Sequence, residues 1–234
     1  GHIELARPVL FITHLKEIMK FCKCVCFKCS KIKINKNLHK HILNKTASER
    51  WQYVTNLAPN VKRCGDCTED GCGYKQPDKI QLEGMSTIQA IWEKMDTEDS
   101  ENGKVIIKLT PEMLIKIFKR ICDEDVHFMG YSPTWSRPEW MICQVLPVPP
   151  PSVRPSVKHD AQQRSEDDLT HIFSNIIKTN NDLRDKIAND APTKVIEVLT
   201  GILQYFVAMI ANNKVKGADP MAQRSGRPLN CISG

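Results

Sequence analysis

Two groups of cysteines constrain the fold of this chain more than any other feature of its sequence. Cys26 and Cys29 form a Cys-x-x-Cys pair, and a second group further along contains Cys64, Cys67 and Cys72. Four thiolates from two compact groups can close a tetrahedral zinc site, whereas a set of buried small apolar side chains is the simpler alternative. Two such groups separated by one loop favour zinc. Because four cysteines fill the coordination shell, the metal would be structural.

Spacing alone pairs Cys64 with Cys67 in a second Cys-x-x-Cys. The net charge is +6, and all of the basic excess lies in residues 1–63, because the rest of the chain has more acidic than basic residues. Four thiolates on one divalent ion leave net negative charge, which nearby cations can offset. The basic segment 1–63 therefore does not by itself indicate DNA binding. The basic residues closest in sequence to the cysteines are Lys23, Lys28, Lys31, Lys62 and Arg63.

The remaining cysteines show no ligand spacing. Cys22 belongs to an apolar helix stripe, Cys24 has no partner at a suitable distance, and the others are isolated. The chain holds ten cysteines and lacks a secretory signal, which predicts an intracellular protein with reduced thiols or bound metal. The absence of an initiating Met indicates an internal fragment. The isolated cysteines are Cys122, Cys143 and Cys231.

Hydrophobic periodicity predicts mixed helices and strands. Glu4 to Phe11 is predicted as a strand, and a helix with its apolar stripe at Leu15, Ile18, Met19 and Cys22 follows it. Lys104 to Leu109 is predicted as a second strand. Thr110 then caps a helix that has Pro111 at its first position. Asp123-Glu124-Asp125 is interpreted as a solvated helix end, and residues 133–155 form a stiff proline-rich connector.

A helical hairpin is predicted over residues 169–212. Ser165 is the expected N-cap of its first helix, and Pro192 the expected first residue of its second helix. The short break between them, Asn189 to Ala191, predicts an antiparallel pair. The apolar run Val195 to Ala211 contains Glu197 and Gln204, which favours a buried helix over a membrane span.

The proline-rich connector carries a specific family resemblance. Residues 135–141 (WSRPEWM) and 146–156 (LPVPPPSVRPS) are similar to the largest subunit of multisubunit DNA-directed RNA polymerases. The similarity continues through residues 163–169 (QRSEDDL), ends at 225–228 (SGRP), and includes the earlier blocks at residues 1–6 and 71–73. The amino-acid sequences of these blocks resemble the polymerase II type and its relatives in large DNA viruses.

The resemblance implies an α+β clamp with a structural zinc ion held by Cys26, Cys29, Cys64 and Cys72, with Cys67 as a rival to Cys64. It also divides the chain into segments. These are a zinc-binding clamp region (1–80), a clamp core with the connector (81–155), a lid loop (156–168), a clamp coiled coil (169–212) and the start of a rudder (213–234).

The resemblance also implies partners: template DNA and the RNA–DNA hybrid, the second-largest and other polymerase subunits, and initiation and elongation factors that dock on the coiled coil, with no membrane. The expected docking residues are Arg184, Lys186 and Ile187. The expected nucleic-acid contacts are Arg154, Lys158, His159, Gln163, Arg164, Arg224 and Arg227.

The magnesium of the full enzyme is expected outside this chain, since the sequence contains no three aspartates at alternate positions. The fragment alone is therefore predicted to be inactive. The expected location is the nucleus, or a viral factory or virion. The alternative function is a free-standing zinc-binding interaction module whose helical hairpin serves as a docking rod.

Overall fold

The computed structural model describes residues 1–68, 70–93, 103–158 and 164–233. These residues form an α+β structure, as predicted, and their contacts divide into two compact units. The first unit comprises residues 1–13, 84–86 and 143–234, and the second comprises residues 14–83 and 87–142. The expected segment 1–80 is therefore divided between the two units.

The second unit contains most of the short helices and the larger sheet. Its helices are α1 (Leu15–Cys24), α2 (Ala47–Leu57), α3 (Pro111–Lys119) and α4 (Asp123–Phe128). Its strands are β2 (Lys79–Glu83), β3 (Thr87–Glu93) and β4 (Lys104–Leu109). Short 3-10 turns occur at Lys40–Asn44, Ala58–Asn60 and Pro138–Met141.

The first unit combines short strands with two long helices. Its strands are β1 (His2–Leu10), β5 (Ile142–Pro147), β6 (Val157–Lys158) and β7 (Arg164–Ser165). Its helices are α5 (Asp168–Ala188) and α6 (Thr193–Ala211), and a 3-10 turn at Ile12–His14 follows β1. Strand β1 pairs with β5, and β6 pairs antiparallel with β7.

An aromatic core holds α1 in the second unit. The fully buried Phe21 packs against Trp51 of α2 at a ring-centroid distance of 4.4 Å and against Tyr131 at 4.9 Å. The indole N–H of Trp51 donates to the carboxylate of Glu17 at 2.8 Å, which fixes the ring. Such edge and offset contacts add to the free energy of area burial. The end of α1, where the cysteines begin, is thereby held in place.

A three-stranded antiparallel sheet lies beside the cysteine segments. Strand β3 is central, between β2 and β4. Trp92 of β3 is buried, donates to the carbonyl of Lys75 at 3.0 Å, and meets the ring of Phe27 edge-on at 5.9 Å. One side chain of the sheet therefore contacts a segment from each cysteine group.

The interpretation of residues 123–125 as a solvated helix end is wrong for Asp125. Its side chain is 3% exposed, accepts the backbone N–H of Ile32 at 3.0 Å and pairs with Lys36 Nζ at 2.6 Å. Asp123 stays exposed but pairs with Arg137, whose guanidinium also donates to Glu139. Three consecutive acidic residues predict a solvated segment, because the partners that cover Asp125, Ile32 and Lys36, lie far from it in the sequence.

The two long helices of the first unit pack on each other and on β1. Their buried residues form one apolar cluster that includes Ile172 and Ile176 from α5 with Val207 and Ile210 from α6. Residues near the start of α5 thus meet residues near the end of α6, so the helices run antiparallel.

Side-chain amides from both helices pair with the backbone of β1. Asn180 accepts the N–H of Ala6 at 2.7 Å and donates to the carbonyl of Glu4 at 2.9 Å. Gln204 makes the same two bonds with Leu10, each at 2.6 Å. These amides replace the hydrogen bonds that a neighbouring strand would make.

The predicted caps of both long helices differ from the structure. Ser165 lies in β7, and Asp167 is the N-cap of α5 because its carboxylate accepts the N–H of Leu169 at 2.8 Å. Pro192 is the N-cap of α6, which begins at Thr193. The short pairing of β6 with β7 has no recognisable sequence pattern. The sequence therefore predicted the start of α5 too early, at residues that belong to β7.

Helix α6 is long and apolar enough to cross a membrane by length and composition, with a mean hydropathy of 1.6, and about a third of that stretch is buried. Its buried residues, Leu203 and 207–211, all lie in its second half, whereas Val195, Val198 and Ile202 are exposed. The expectation of a buried helix thus fits the second half. Core helices of soluble proteins can have the same length and apolar composition.

Candidate metal centre

The first cysteine group lies in a tight loop directly after α1. The loop is closed by Cys26 N–H donating to Lys31 O and Ser30 N–H donating to Cys26 O, both at 2.9 Å. Ser30 has a φ of 63°, a left-handed conformation that a non-glycine residue rarely adopts. This turn brings Cys29 back towards Cys26.

The second cysteine group lies in a second hairpin-like turn. Cys64 N–H donates to Tyr74 O at 3.0 Å, and Gly73 N–H donates to Cys64 O at 2.8 Å. An antiparallel bridge between Arg63 and Lys75 continues the pairing. This backbone pairing brings Cys64 and Cys72 together although they are eight positions apart in the sequence.

The sulfur atoms of Cys26, Cys29, Cys64 and Cys72 lie within 4.8 Å of one another. The Cys26–Cys72 sulfur distance is 3.5 Å, and the Cys29–Cys64 distance is 3.6 Å. Four sulfurs at about 2.3 Å from a tetrahedral zinc ion would be about 3.8 Å apart. The four thiols are thus close to the geometry that a zinc ion requires.

The geometry also distinguishes Cys64 from Cys67. Cys67 is exposed and does not belong to the four-cysteine cluster, although spacing alone pairs it with Cys64. Cys22 and Cys24 are buried outside the cluster, and burial raises the pKa of the Cys24 thiol to about 12. The structure therefore brings together the four residues that the family resemblance implied as ligands.

The thiols of the cluster differ in their electrostatic environments. Burial raises the pKa of Cys29 and of Cys64 above the ordinary value for a thiol. Burial also raises the pKa of Cys72, but the N–H of Tyr74 and the neighbouring thiols outweigh it and lower the pKa to about 7. The exposed Cys72 thus ionises more readily than Cys29 or Cys64, and a metal ion would supply the positive charge that stabilises those two as thiolates.

Lys33 is a buried cation near the cysteines that sequence reasoning missed. Its side chain is 4% exposed, and its ammonium has the carbonyl of Val61 at 3.4 Å. Burial lowers the pKa of Lys33 to about 8, while the charges of Cys24, Cys26 and Cys64 oppose that shift. A buried ammonium is costly unless compensated, and a four-thiolate metal site would supply the compensating charge.

Lys31, one of the basic residues expected to offset the thiolates, is engaged by an acidic partner. Its ammonium pairs with the carboxylate of Asp70 at 2.7 Å and also donates to the carbonyl of Asp70 at 3.0 Å. Both side chains are substantially exposed, so the pair contributes little to stability. It joins the loop of the first cysteine group to the segment before Cys72.

Two of the expected nucleic-acid contacts are engaged inside the first unit. Arg154 donates to Pro149 O at 3.2 Å and to the hydroxyl of Thr170 at 3.1 Å. Arg227 binds both carboxylate oxygens of Asp168. Their guanidinium groups thus stabilise the local fold around the start of α5.

Lys158 and Arg224 are exposed. His159 and Gln163 lie outside the described residues, and for Arg164 the structure gives the strand β7 only.

The expected docking residues lie near the end of α5. Lys186 is exposed, whereas Arg184 donates to the carbonyl of Glu4 at 3.1 Å. Ile187 is half-buried against the apolar cluster of the two helices. Of these three residues, Lys186 is the one for which the described part of the chain shows no side-chain hydrogen bond and no apolar packing.

All residues, 1–234, match the family described as RNA polymerase Rpb1, domain 1. The chain is also 38% identical to the DNA-directed RNA polymerase subunit Rpo1N of Sulfolobus acidocaldarius over its whole length. It spans 26% of the length of that relative. The match over every residue shows that the chain belongs to the RNA polymerase Rpb1, domain 1 family.

Proposed function

We propose that this chain is the clamp portion of the largest subunit of a DNA-directed RNA polymerase. The observation that carries the proposal is the family match over residues 1–234. In this role the chain grips template DNA and the RNA–DNA hybrid while another part of the subunit supplies the magnesium site. The complete enzyme is a nucleotidyltransferase, and this chain alone is inactive. It acts inside the cell, in the nucleus, or in a viral factory or virion.

The four-cysteine cluster supports a structural zinc ion in this clamp. Zinc would join the loop after α1 to the turn that carries Cys64 and Cys72. A site with four protein ligands has no open position for a substrate. The metal therefore contributes folding free energy and no chemistry.

Among the expected nucleic-acid contacts, Lys158 and Arg224 are favoured because both are exposed. A flexible cation on an exposed segment neutralises phosphate without reading bases, so its contribution is independent of sequence and weakens with salt. Arg154 and Arg227 act indirectly, because their guanidinium groups hold the surrounding segments. His159, Gln163 and Arg164 remain proposed contacts of the same lid loop.

The hairpin of α5 and α6 is proposed as the clamp coiled coil and as a docking site for initiation and elongation factors. Lys186 supplies an exposed charge near the turn, and Ile187 a small apolar surface beside it. A polar rim around a small apolar contact suits an exchangeable partner. The second-largest and other subunits would contact the remaining surfaces of the clamp.

The proposal is tested by exchanging this segment into a complete polymerase. The assembled enzyme should copy a template, and Lys158→Glu and Arg224→Glu should each weaken hybrid retention and lower the salt slope of binding by about one phosphate contact. Lys119→Glu, on α3, is the control and should change neither. A segment that forms no complex with the second-largest subunit would favour the free-standing zinc module instead.

Factor docking needs a separate experiment. Lys186→Glu should weaken binding of an elongation factor while leaving helix content unchanged, because Lys186 is exposed. Arg184→Glu is a less clean variant, since it also removes the bond to Glu4. Ile176→Asp should unfold the hairpin, because Ile176 is fully buried. Unchanged factor affinity for Lys186→Glu at moderate salt would assign docking to another part of the clamp.

A further inference from the structure

Gln76 is a buried polar residue that lies between the two cysteine groups. Its side chain is 1% exposed, and its own N–H donates to the carbonyl of Lys62 at 2.8 Å. It follows the Arg63–Lys75 bridge, so its backbone belongs to the turn that carries Cys64 and Cys72. Buried amides are costly unless all their polar atoms are paired, so each of its contacts requires an explanation.

The side-chain amide of Gln76 makes three hydrogen bonds. Its oxygen accepts the N–H of Phe27 at 3.2 Å, and its nitrogen donates to the carbonyl of Tyr74 at 2.9 Å. The same nitrogen donates to the sulfur of Cys26 at 3.2 Å. Rotating the amide by half a turn would exchange its oxygen and nitrogen. The nitrogen would then face the N–H of Phe27, donor against donor, and the oxygen would face the carbonyl of Tyr74, acceptor against acceptor. The network therefore fixes an N–H, and not the oxygen, towards the sulfur.

The contact with Phe27 joins Gln76 to the other cysteine group. Phe27 lies between Cys26 and Cys29, whereas Tyr74 and Lys62 flank the second group. One side chain thus bonds to both ligand loops at once. This arrangement holds the loops together by protein contacts that do not depend on the metal.

Cys26 has two N–H donors directed at its sulfur. Besides Gln76, the backbone N–H of Lys28 lies 3.4 Å from the sulfur. Cys26 is fully buried, so no water competes for these bonds. A hydrogen bond to a thiolate stabilises its charge and fixes the direction of its remaining lone pairs, which is how residues around a metal orient its ligands.

We infer that Gln76 is a positioning residue for the metal site, orienting the Cys26 thiolate and holding the two ligand loops at metal-binding distance. The inference rests on the proposed zinc site and adds a residue that no spacing rule for metal ligands identifies. Gln76 does not contact the metal. It acts through Cys26, and its loss should therefore change how tightly the metal is held without changing the number of ligands.

The test compares metal binding by the purified chain and its variants. Zinc affinity is measured by competition with a chromogenic chelator, and the thiolate environment by the charge-transfer absorption of the Co²⁺-loaded protein. Gln76→Leu keeps the volume and removes the donor, and it should lower zinc affinity about tenfold or more. Without the hydrogen bond the sulfur electrons are held less tightly, so the charge-transfer band should move to longer wavelength.

Gln89→Leu is the matched control. Gln89 is also a buried glutamine of the second unit, but its amide bonds to Gln81 and Glu83 in the sheet. This variant should lose stability and keep the parent zinc affinity and spectrum. Gln76→Glu, which places a negative oxygen beside the sulfur, should bind zinc more weakly than Gln76→Leu.

The outcomes separate the two proposals. A parent chain that binds neither ion would overturn the zinc site itself. A parent chain that binds zinc, with Gln76→Leu retaining the same affinity and Co²⁺ spectrum, would overturn the role of Gln76 alone. Equal loss of stability in Gln76→Leu and Gln89→Leu with no spectral change would assign Gln76 a purely structural function, and it too would overturn the inference.

Discussion

Arg227 Nη2 lies 3.0 Å from Oδ1 and 2.9 Å from Oδ2 of Asp168, so one nitrogen of the guanidinium is shared by both carboxylate oxygens. The same carboxylate accepts the side-chain amide of Gln223 at 3.0 Å and the backbone N–H of Asn230 at 2.9 Å. Asp168 is also the first residue of α5, where the helix dipole favours a negative charge. The start of α5 is thereby fastened to the C-terminal segment.

Replacing Asp168 should destabilise this attachment. Asp168→Asn removes the charge that Arg227 and the helix start both favour, and we expect a loss of about 1 to 2 kcal/mol in the free energy of unfolding. Urea denaturation followed by circular dichroism measures it. Asp182→Asn, an exposed position on the same helix, is the control and should stay within about 0.5 kcal/mol of the parent. Equal stability of both variants would contradict the predicted role.

The contribution of Asp168 should depend on pH. Burial raises its pKa, but the donors from Asn230, Gln223 and Arg227 outweigh burial and hold the pKa below its usual range. A carboxyl with a lowered pKa stabilises the fold above its unfolded pKa of about 3.9, and that stabilisation disappears as the pH falls through the folded pKa. The stability difference between the parent and Asp168→Asn should therefore be constant near neutrality and shrink below about pH 4. A difference that grows in acid would contradict this assignment.

Local signals in the sequence predicted some elements accurately. Thr110 caps α3 through the N–H of Met113, with Pro111 in the first turn, because both residues act within a few positions. The start of α5 was misplaced because Ser165 pairs with Val157 of β6, and a local capping pattern cannot register that pairing. The burial of Asp125 was missed for the same reason, since Ile32 and Lys36 lie far from it in the sequence.

The metal site shows the same division between local and long-range information. Cysteine spacing identified the Cys26–Cys29 pair but joined Cys64 to Cys67, because spacing cannot register the backbone pairing of Cys64 with Gly73 and Tyr74. That pairing brings Cys72 to the cluster and leaves Cys67 exposed. Lys33 and Gln76 belong to no sequence motif, so their place beside the cysteines is recognised only from their burial in the structure.

Cysteine substitutions should separate the two candidates for the third ligand. Cys64→Ser should release the bound zinc, because its sulfur lies within the four-cysteine cluster. Cys67→Ser should retain one zinc per chain, because Cys67 is exposed outside the cluster. Elemental analysis of the purified variants measures the metal. Zinc loss from Cys67→Ser together with full retention by Cys64→Ser would reverse the assignment.

The glycines on either side of Cys72 should tolerate substitution very differently. A Cβ at Gly71 would overlap the backbone of Gly65 and lie 2.6 Å from the carbonyl carbon of Cys64. Gly71→Ala therefore has to push apart the two chain segments that carry Cys64 and Cys72. Because a zinc ion requires sulfurs about 3.8 Å apart, this displacement should lower zinc affinity by at least tenfold.

Gly73 provides the matched comparison. Its φ is +71°, but a Cβ there would meet no atom within 4 Å, so the cost of a side chain is conformational and not steric. Gly73→Ala should lose about 1 kcal/mol of stability, and Gly73→Asn less, because asparagine adopts the left-handed region more readily. Both Gly73 variants should keep the parent zinc content, measured by chelator competition beside thermal unfolding. If Gly71→Ala bound zinc as tightly as Gly73→Ala, the close contact between Gly71 and Gly65 would not be needed for metal binding, which would contradict this prediction.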